Sequence, residues 1–305
     1  MQAHIAIIAK QDESQIDLPG LEKFLQAKIF GQEEAIRKVS EALLSAEFGL
    51  NETGSRPRGA FLFMGPTGVG KTETAKRFTE YLFDKAKLEM FFMNEYQDSY
   101  KIADLIDRLQ EGLRRNPNGT TLLFDEIEKA HPKIIDIFLS MLDEGKVTLD
   151  ASNRLSVSGC YIVLTSNLGS RTFPEMENSK YQTLQDFALA EARKSLRPEL
   201  VARLTETIVY RPLKQETQIQ ILSSLIFRKL VHLERVLKMP LQVEERSVQA
   251  HLLRVGFTTT GGARFIRQEV DRQLNRAVLP WLLQGRRAAQ GTIRYDVKDA
   301  GLVLE

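Results

Sequence analysis

Three glycines, a lysine and a threonine in the order Gly65, Gly68, Gly70, Lys71, Thr72 are the residues best suited to chemistry in this chain. They lie in the stretch Phe61-Leu62-Phe63-Met64-Gly65-Pro66-Thr67-Gly68-Val69-Gly70-Lys71-Thr72. Glycines at this spacing let the backbone curl so that successive N–H groups point inward at phosphate oxygens. Lys71 brings a positive charge to β and γ phosphates, and the Thr72 hydroxyl can hold Mg²⁺. The apolar residues before the glycines predict a buried strand. The run Glu73 to Phe83 after them predicts a helix, whose N-terminal dipole end also favours an anion. A glycine turn between strand and helix also has a purely structural reading. The complete spacing, with lysine and threonine in place, favours a nucleoside triphosphate as ligand.

A second group of candidates lies downstream. Thr121-Leu122-Leu123-Phe124-Asp125-Glu126 reads as an apolar strand that ends in two carboxylates. Beside a phosphate loop, Asp125 suits Mg²⁺, and Glu126 suits the orientation and deprotonation of water. An Asp-Glu pair can also simply start a helix, so its place at the end of an apolar strand carries the reading. Tyr161-Ile162-Val163-Leu164-Thr165-Ser166-Asn167 reads as another buried strand. A neighbouring parallel strand would bring the Asn167 amide close to the γ-phosphate.

The elements that must position these residues follow from pattern. Apolar strands separated by helical segments imply an α/β parallel sheet with its ligand at the strand C-termini. Ahead of the loop, Leu21, Phe24, Leu25 and Ile29 keep helical spacing up to the break at Gly31, and a second helix is expected over Glu33 to Phe48. Met90 to Met93 is a short strand. Ile102, Leu105, Ile106, Leu109 and Leu113 form one apolar face of a continuous helix. Beyond Pro212, Ile219, Leu222, Ile226, Leu230, Leu233 and Leu237 mark a long amphipathic helix stopped near Pro240. A further helix near Arg264 carries Ile266, Val270, Leu274 and Trp281, and strands are expected at 292–297 and 301–304.

Composition narrows the class. At 305 residues the chain is long enough for two domains. A net charge of +2 from 42 basic and 40 acidic residues gives no general case for nucleic acid or an anionic membrane. The pairs Arg56/Arg58, Arg114/Arg115 and Arg286/Arg287 also read as solvated faces. No apolar run reaches membrane-spanning length, and Met1 to Lys10 lacks a secretion signal and alternates loosely, as an added edge strand would. The scattered histidines, His4, His131, His232 and His251, have no metal-ligand spacing. The single cysteine, Cys160, lies in an apolar run and suits a buried thiol in a reducing compartment. The expected location is cytoplasmic.

Four stretches together carry a resemblance. Gly65-Pro-Thr-Gly-Val-Gly-Lys-Thr-Glu-Thr-Ala-Lys76, Phe124-Asp-Glu-Ile-Glu-Lys-Ala-His-Pro132, Met141-Leu-Asp-Glu-Gly145 and Leu164-Thr-Ser-Asn-Leu-Gly-Ser170 closely resemble the AAA+ ATPases of the Clp chaperone family. The similarity is to the second ATPase module of double-ring members, and it covers about residues 19 to 305. It implies an N-terminal extension (1–18), a large α/β P-loop NTPase domain with a parallel sheet flanked by helices (19–211), and a small lid domain of helices and a small sheet (212–305). It implies adenine contacts at Ile29, Phe30, Gly31 and Ile221, and a phosphate loop of Gly65, Pro66, Thr67, Gly68, Val69, Gly70, Lys71 and Thr72. It places metal binding on Thr72 and Asp125, catalysis on Glu126, and the first sensor on Asn167. Leu196-Arg-Pro-Glu-Leu-Val-Ala-Arg203 resembles the arginine-finger segment and Gly262-Ala263-Arg264 the second sensor. On spacing alone both arginines read as solvated. The implied activity is hydrolysis of ATP with Mg²⁺ in a homo-oligomer, a ring or spiral of about six.

The chain also departs from the family pattern. It carries no amino-terminal substrate domain, first ATPase module or middle coiled coil, and it lacks the tripeptide loop for docking a peptidase, so no peptidase partner is expected. Threading members carry a Gly-aromatic-Val-Gly loop between the second strand and the paired carboxylates. Here Asn94 to Pro117 is taken up by the expected helix instead. Tyr96 or Tyr100 could stand in for the missing aromatic, or could pack at the helix start. The leading expectation is a motor that remodels a protein partner or assembly without threading. A nucleotide-controlled scaffold or nucleic-acid loader, and a threading unfoldase with a displaced pore residue, are the alternatives.

Overall fold

The structure, a computed structural model, describes residues 16–51, 54–117, 119–150, 153–256, 262–285, 288–296 and 299–305. The expected edge strand at Met1 to Lys10, all but the end of the 1–18 extension, the Arg286/Arg287 pair and Val297 lie outside these residues.

Helices α1 (Leu21–Gln26) and α2 (Glu33–Glu47) flank the turn at Gly31, where φ is +68°. The strand before the glycine loop is β1 (Gly59–Met64) and the helix after it is α3 (Lys71–Leu82). Next come β2 (Leu88–Phe92), α4 (Ile102–Arg115), β3 (Thr121–Asp125) and α5 (Ile134–Asp143). An antiparallel hairpin of β4 (Lys146–Asp150) and β5 (Asn153–Ser156) leads to β6 (Tyr161–Ser166). Then follow α6 (Tyr181–Ser195), α7 (Pro198–Ala202), β7 (Glu206–Val209) and the long α8 (Gln215–Leu237). The last elements are β8 (Leu241–Val243), α9 (Glu245–Gly256), α10 (Gly262–Leu283), β9 (Gly291–Asp296) and β10 (Gly301–Leu304).

Five strands form one parallel sheet in the order β2-β3-β6-β1-β7. Their near-continuous apolar sequences are what a parallel sheet covered on both faces requires. Alternate residues of β1 divide between the two cores. Phe61 and Phe63 join Leu25, Ile36 and Phe78 on the side of α1, α2 and α3, whereas Leu62 and Met64 join Leu109 and Phe138 on the side of α4 and α5. Because β1 is inserted between β6 and β7, the connections leaving it diverge, and a crevice opens at its C-terminal end, where such sheets bind ligands. The glycine loop occupies that point.

Helix α4 matches its apolar periodicity. Leu105 and Leu109 are fully buried, and Ile102 and Ile106 pack beside them. At about 1.5 Å per residue it is about 20 Å of continuous helix. Tyr96 is buried and its hydroxyl accepts a 2.6 Å bond from Arg108 Nη1, while Tyr100 is 72% exposed. The first helix stops at Gln26, short of Phe30, and the N–H groups of Lys28 and Ile29 both donate to Leu25 O in the turn that follows. Met93 falls in a 3₁₀ turn and not in β2. A third core gathers Leu222, Ile226, Leu252, Ile266, Val270 and Ile293 from α8, α9, α10 and β9.

Cys160 is 2% exposed, and burial pushes its thiol up to about 11. Native protein is therefore expected to resist a thiol reagent at neutral pH and to react once per chain in denaturant. Rapid stoichiometric labelling of folded protein is the outcome that contradicts this packing.

Candidate active site

The loop after β1 has the backbone that its glycines permit. Gly65, Gly68 and Gly70 adopt φ of +144°, +76° and +113°. A Cβ on Gly65 would stand 2.5 Å from Tyr210 O, so no larger residue fits. Lys71 begins α3 and is 7% exposed. Its ammonium donates to Gly65 O at 2.6 Å, Pro66 O at 2.7 Å and Asn167 Oδ1 at 2.9 Å. Burial pulls it down to about 8, opposed by the negative charges of Asp125, Glu128 and Glu126 and reinforced by Arg264.

The C-termini of β3 and β6 supply the facing wall. Thr72 Oγ1 donates to Asp125 Oδ1 at 3.3 Å, and Thr165 Oγ1 donates to the same oxygen at 2.6 Å. Glu126 takes a left-handed conformation with φ of +61°, and its N–H donates to Thr165 Oγ1 at 3.1 Å. A non-glycine residue held in this region is strained, and such strain is a common feature of functional sites. Asn167 Nδ2 donates to Glu126 Oε1 at 2.8 Å. The Asn167 amide therefore spans from the phosphate-loop lysine to the second carboxylate.

Lys71, Thr72, Asp125, Glu126 and Asn167 line one cleft of about 580 Å³. Ile29, Phe30 and Ile221 form its apolar end, and Thr67 to Thr72, Asp125, Glu126, Asn167 and Arg264 form its polar end. The start of α10 is tied to the loop by Ala263 N–H donating to Gly68 O at 3.1 Å. Gly31 packs so tightly on α8 that a Cβ would lie 2.6 Å from the Thr217 methyl. The residues fit a nucleotide, with an apolar slot for a base, a glycine cradle and a buried cation for phosphates. Among the described residues no group of three or more His, Cys, Asp or Glu could hold a metal ion. Arg203 is not brought to this cleft. Its Nε pairs with the Asp143 carboxylate and its Nη1 donates to Glu199 O at 2.8 Å.

Two residues given no role from the sequence belong to the same construction. Gln32 is 2% exposed. Its Nε2 donates to Val69 O at 3.3 Å and Arg211 O at 2.9 Å, while its Oε1 accepts from Arg211 N at 2.8 Å. One side chain thus links the phosphate loop to the segment leading into α8. Gln32→Ala would strand buried backbone groups, each costing about 1–3 kcal/mol. We expect a loss of about 2–3 kcal/mol in urea unfolding, with weaker nucleotide binding; an unchanged midpoint is the contrary result. The other is Glu128, whose Oε1 accepts from Asn167 N at 3.0 Å.

Residues 56–207 match the family described as "AAA domain (Cdc48 subfamily)". The chain is 32% identical to the probable chaperone protein ClpB 1 of Chlorobaculum tepidum, over 94% of this chain and 70% of that protein. It is 31% identical to chaperone protein ClpB 1 of Synechococcus elongatus over 98% of this chain, and 32% identical to the mitochondrial chaperone protein ClpB4 of Arabidopsis thaliana over 91%. The matched regions are 36% and 30% of those two relatives, so the chain spans about a third of their length.

Proposed function

The chain belongs to the Clp family of AAA+ ATPases, and we propose that it hydrolyses ATP in the cleft between the glycine loop and α10, as the motor of an oligomer that remodels a protein partner. The observation that carries this reading is the Lys71–Asn167–Glu126 chain of contacts, which joins a phosphate-binding cation to a candidate base in one cleft. We assign residues 19–211 to a large ATPase domain and 212–305 to a lid, after an extension at 1–18.

In this reading the loop N–H groups and Lys71 bind the β and γ phosphates, while Ile29, Phe30, Gly31 and Ile221 hold adenine. Thr72 and Asp125 would hold Mg²⁺, which when bound would supply positive charge to the phosphates. Asn167 orients Glu126, and Glu126 takes the proton of the attacking water. Arg264, on the lid, would meet charge at the γ-phosphate. Arg203 does not line its own cleft, so it would serve a neighbour's in an oligomer, and the family resemblance makes that oligomer a ring or spiral of about six. A cytoplasmic location is proposed from the unpaired thiol; no helix among the described residues is long and apolar enough to cross a membrane.

A protein partner is preferred to nucleic acid because one arginine in each of two basic pairs, Arg58 and Arg115, already pairs with a carboxylate. Arg58 pairs with Glu47 at 2.9 Å and Arg115 with Glu89 at 3.0 Å. The absence of threading is supported by α4, whose apolar face is buried where a mobile aromatic loop would be needed. The exposed ring of Tyr100 favours a second reading, a threading unfoldase with a displaced grip. The two separate in one assay. With ATP in excess, the protein is expected to leave a tagged, folded fluorescent substrate intact, and Tyr100→Ala should keep ATPase activity within a few-fold. ATP-dependent loss of fluorescence that Tyr100→Ala abolishes would establish threading instead.

A further inference from the structure

Glu128 follows Asp125 by one 3₁₀ turn (Ile127–Lys129), and no motif reading gives it a role. Its Oε1 accepts from the Asn167 peptide N–H at 3.0 Å, just past the end of β6. Its Oε2 is buried without a hydrogen-bond partner in the protein. A carboxylate oxygen withdrawn from water in this way is costly unless something recovers the cost. Among the described residues no salt bridge within 4 Å does so; the attraction of the Lys71 ammonium offsets part of the cost, and the bond to Asn167 is the hydrogen bond that uses the side chain.

That bond bears on the chemistry. The two polar atoms of the Asn167 amide are committed in opposite directions, Oδ1 to Lys71 at 2.9 Å and Nδ2 to Glu126 at 2.8 Å. An amide can bridge both only while its own backbone is fixed, because a change of torsion at residue 167 swings it away from one partner or the other. Strand pairing of β1 with β6 runs to Ser166, so the backbone of Asn167 is beyond that support. Thr165 Oγ1 fixes Glu126 N–H and Glu128 fixes Asn167 N–H, which locks the two loops together from both sides.

We propose that Glu128 is a positioning residue of the hydrolytic site, holding the Asn167 peptide so that the Asn167 amide keeps Glu126 aligned beside Lys71. This rests on the ATPase reading above. Small misplacements of reacting groups cost up to about 100-fold in rate, so Glu128→Ala is expected to lower kcat by about 10- to 100-fold. ATP affinity should stay within a few-fold, since the cradle and Lys71 are untouched. The thermal midpoint should change little, because the lost bond to the Asn167 N–H is offset by removal of a buried oxygen that has no partner. Glu128→Gln retains an oxygen for the Asn167 N–H and should recover most of kcat.

The test measures kcat, equilibrium ATP binding and thermal unfolding for the wild type and both variants. Wild-type kcat in Glu128→Ala overturns the proposal, as does a Gln variant no faster than Ala, or a loss of kcat that merely tracks loss of folded protein. Absence of turnover in the assembled wild type would instead count against the ATPase reading itself.

Discussion

Glu126→Gln is expected to bind ATP as the parent does and to turn it over hardly at all. In the structure Glu126 accepts one bond from Asn167 Nδ2 at 2.8 Å and is held in its left-handed conformation by the Thr165 hydroxyl. An amide of the same shape can still offer Oε1 to Asn167, so the loop keeps its form. What is lost is the basic oxygen, and general-base catalysis is typically worth about 10²–10⁴ in rate. Lys71→Ala should fail differently. The ammonium sits among Gly65 O, Pro66 O and Asn167 Oδ1, at the point where phosphate oxygens would arrive. Removing it should weaken binding before it affects chemistry. A nucleotide titration beside a steady-state phosphate assay separates the two, and wild-type turnover by Glu126→Gln would remove Glu126 from the role of base.

Arg203→Ala should likewise bind ATP normally and hydrolyse it slowly, for a reason that lies outside the subunit. Arginine fingers are worth about 10³–10⁵ in rate. Arg203 is engaged by Asp143 and Glu199 O and does not line its own cleft. To act on phosphate it must exchange the Asp143 carboxylate for the more highly charged triphosphate of a neighbour. Specific activity should therefore rise with protein concentration, and the rise should be lost in Arg203→Ala. Activity independent of concentration, together with an Arg203→Ala variant as fast as the parent, would exclude action between subunits.

The phosphate loop and paired carboxylates could be read from the sequence because their chemistry dictates local spacing. Three glycines, a lysine and a threonine must follow one another within a single turn, and Asp125 must end an apolar strand. Helix α4 was equally legible, since burial of one face writes itself as Ile102, Leu105, Ile106, Leu109 and Leu113. Gln32 and Glu128 were not. Gln32 acts on Val69 and Arg211, and Glu128 on Asn167, partners 37, 179 and 39 residues away along the chain. Nothing local encodes those meetings. Arg203 and Arg264 became candidates through family resemblance alone, because an arginine's role depends on what it faces: Arg264 faces the cleft, and Arg203 faces Asp143. Strand β8, three residues long, is too short to leave a periodic pattern.

The central claim, hydrolysis at an intact Glu126 completed by a neighbour's Arg203, is tested most directly by mixing two inactive variants. Arg203→Ala and Glu126→Gln subunits each lack one half of every site in a pure assembly. Combined, some interfaces pair an intact Glu126 with an intact Arg203. The account predicts that phosphate release reappears on mixing and peaks at intermediate ratios. A mixture no more active than its components, in assemblies verified to contain both subunits, would contradict it.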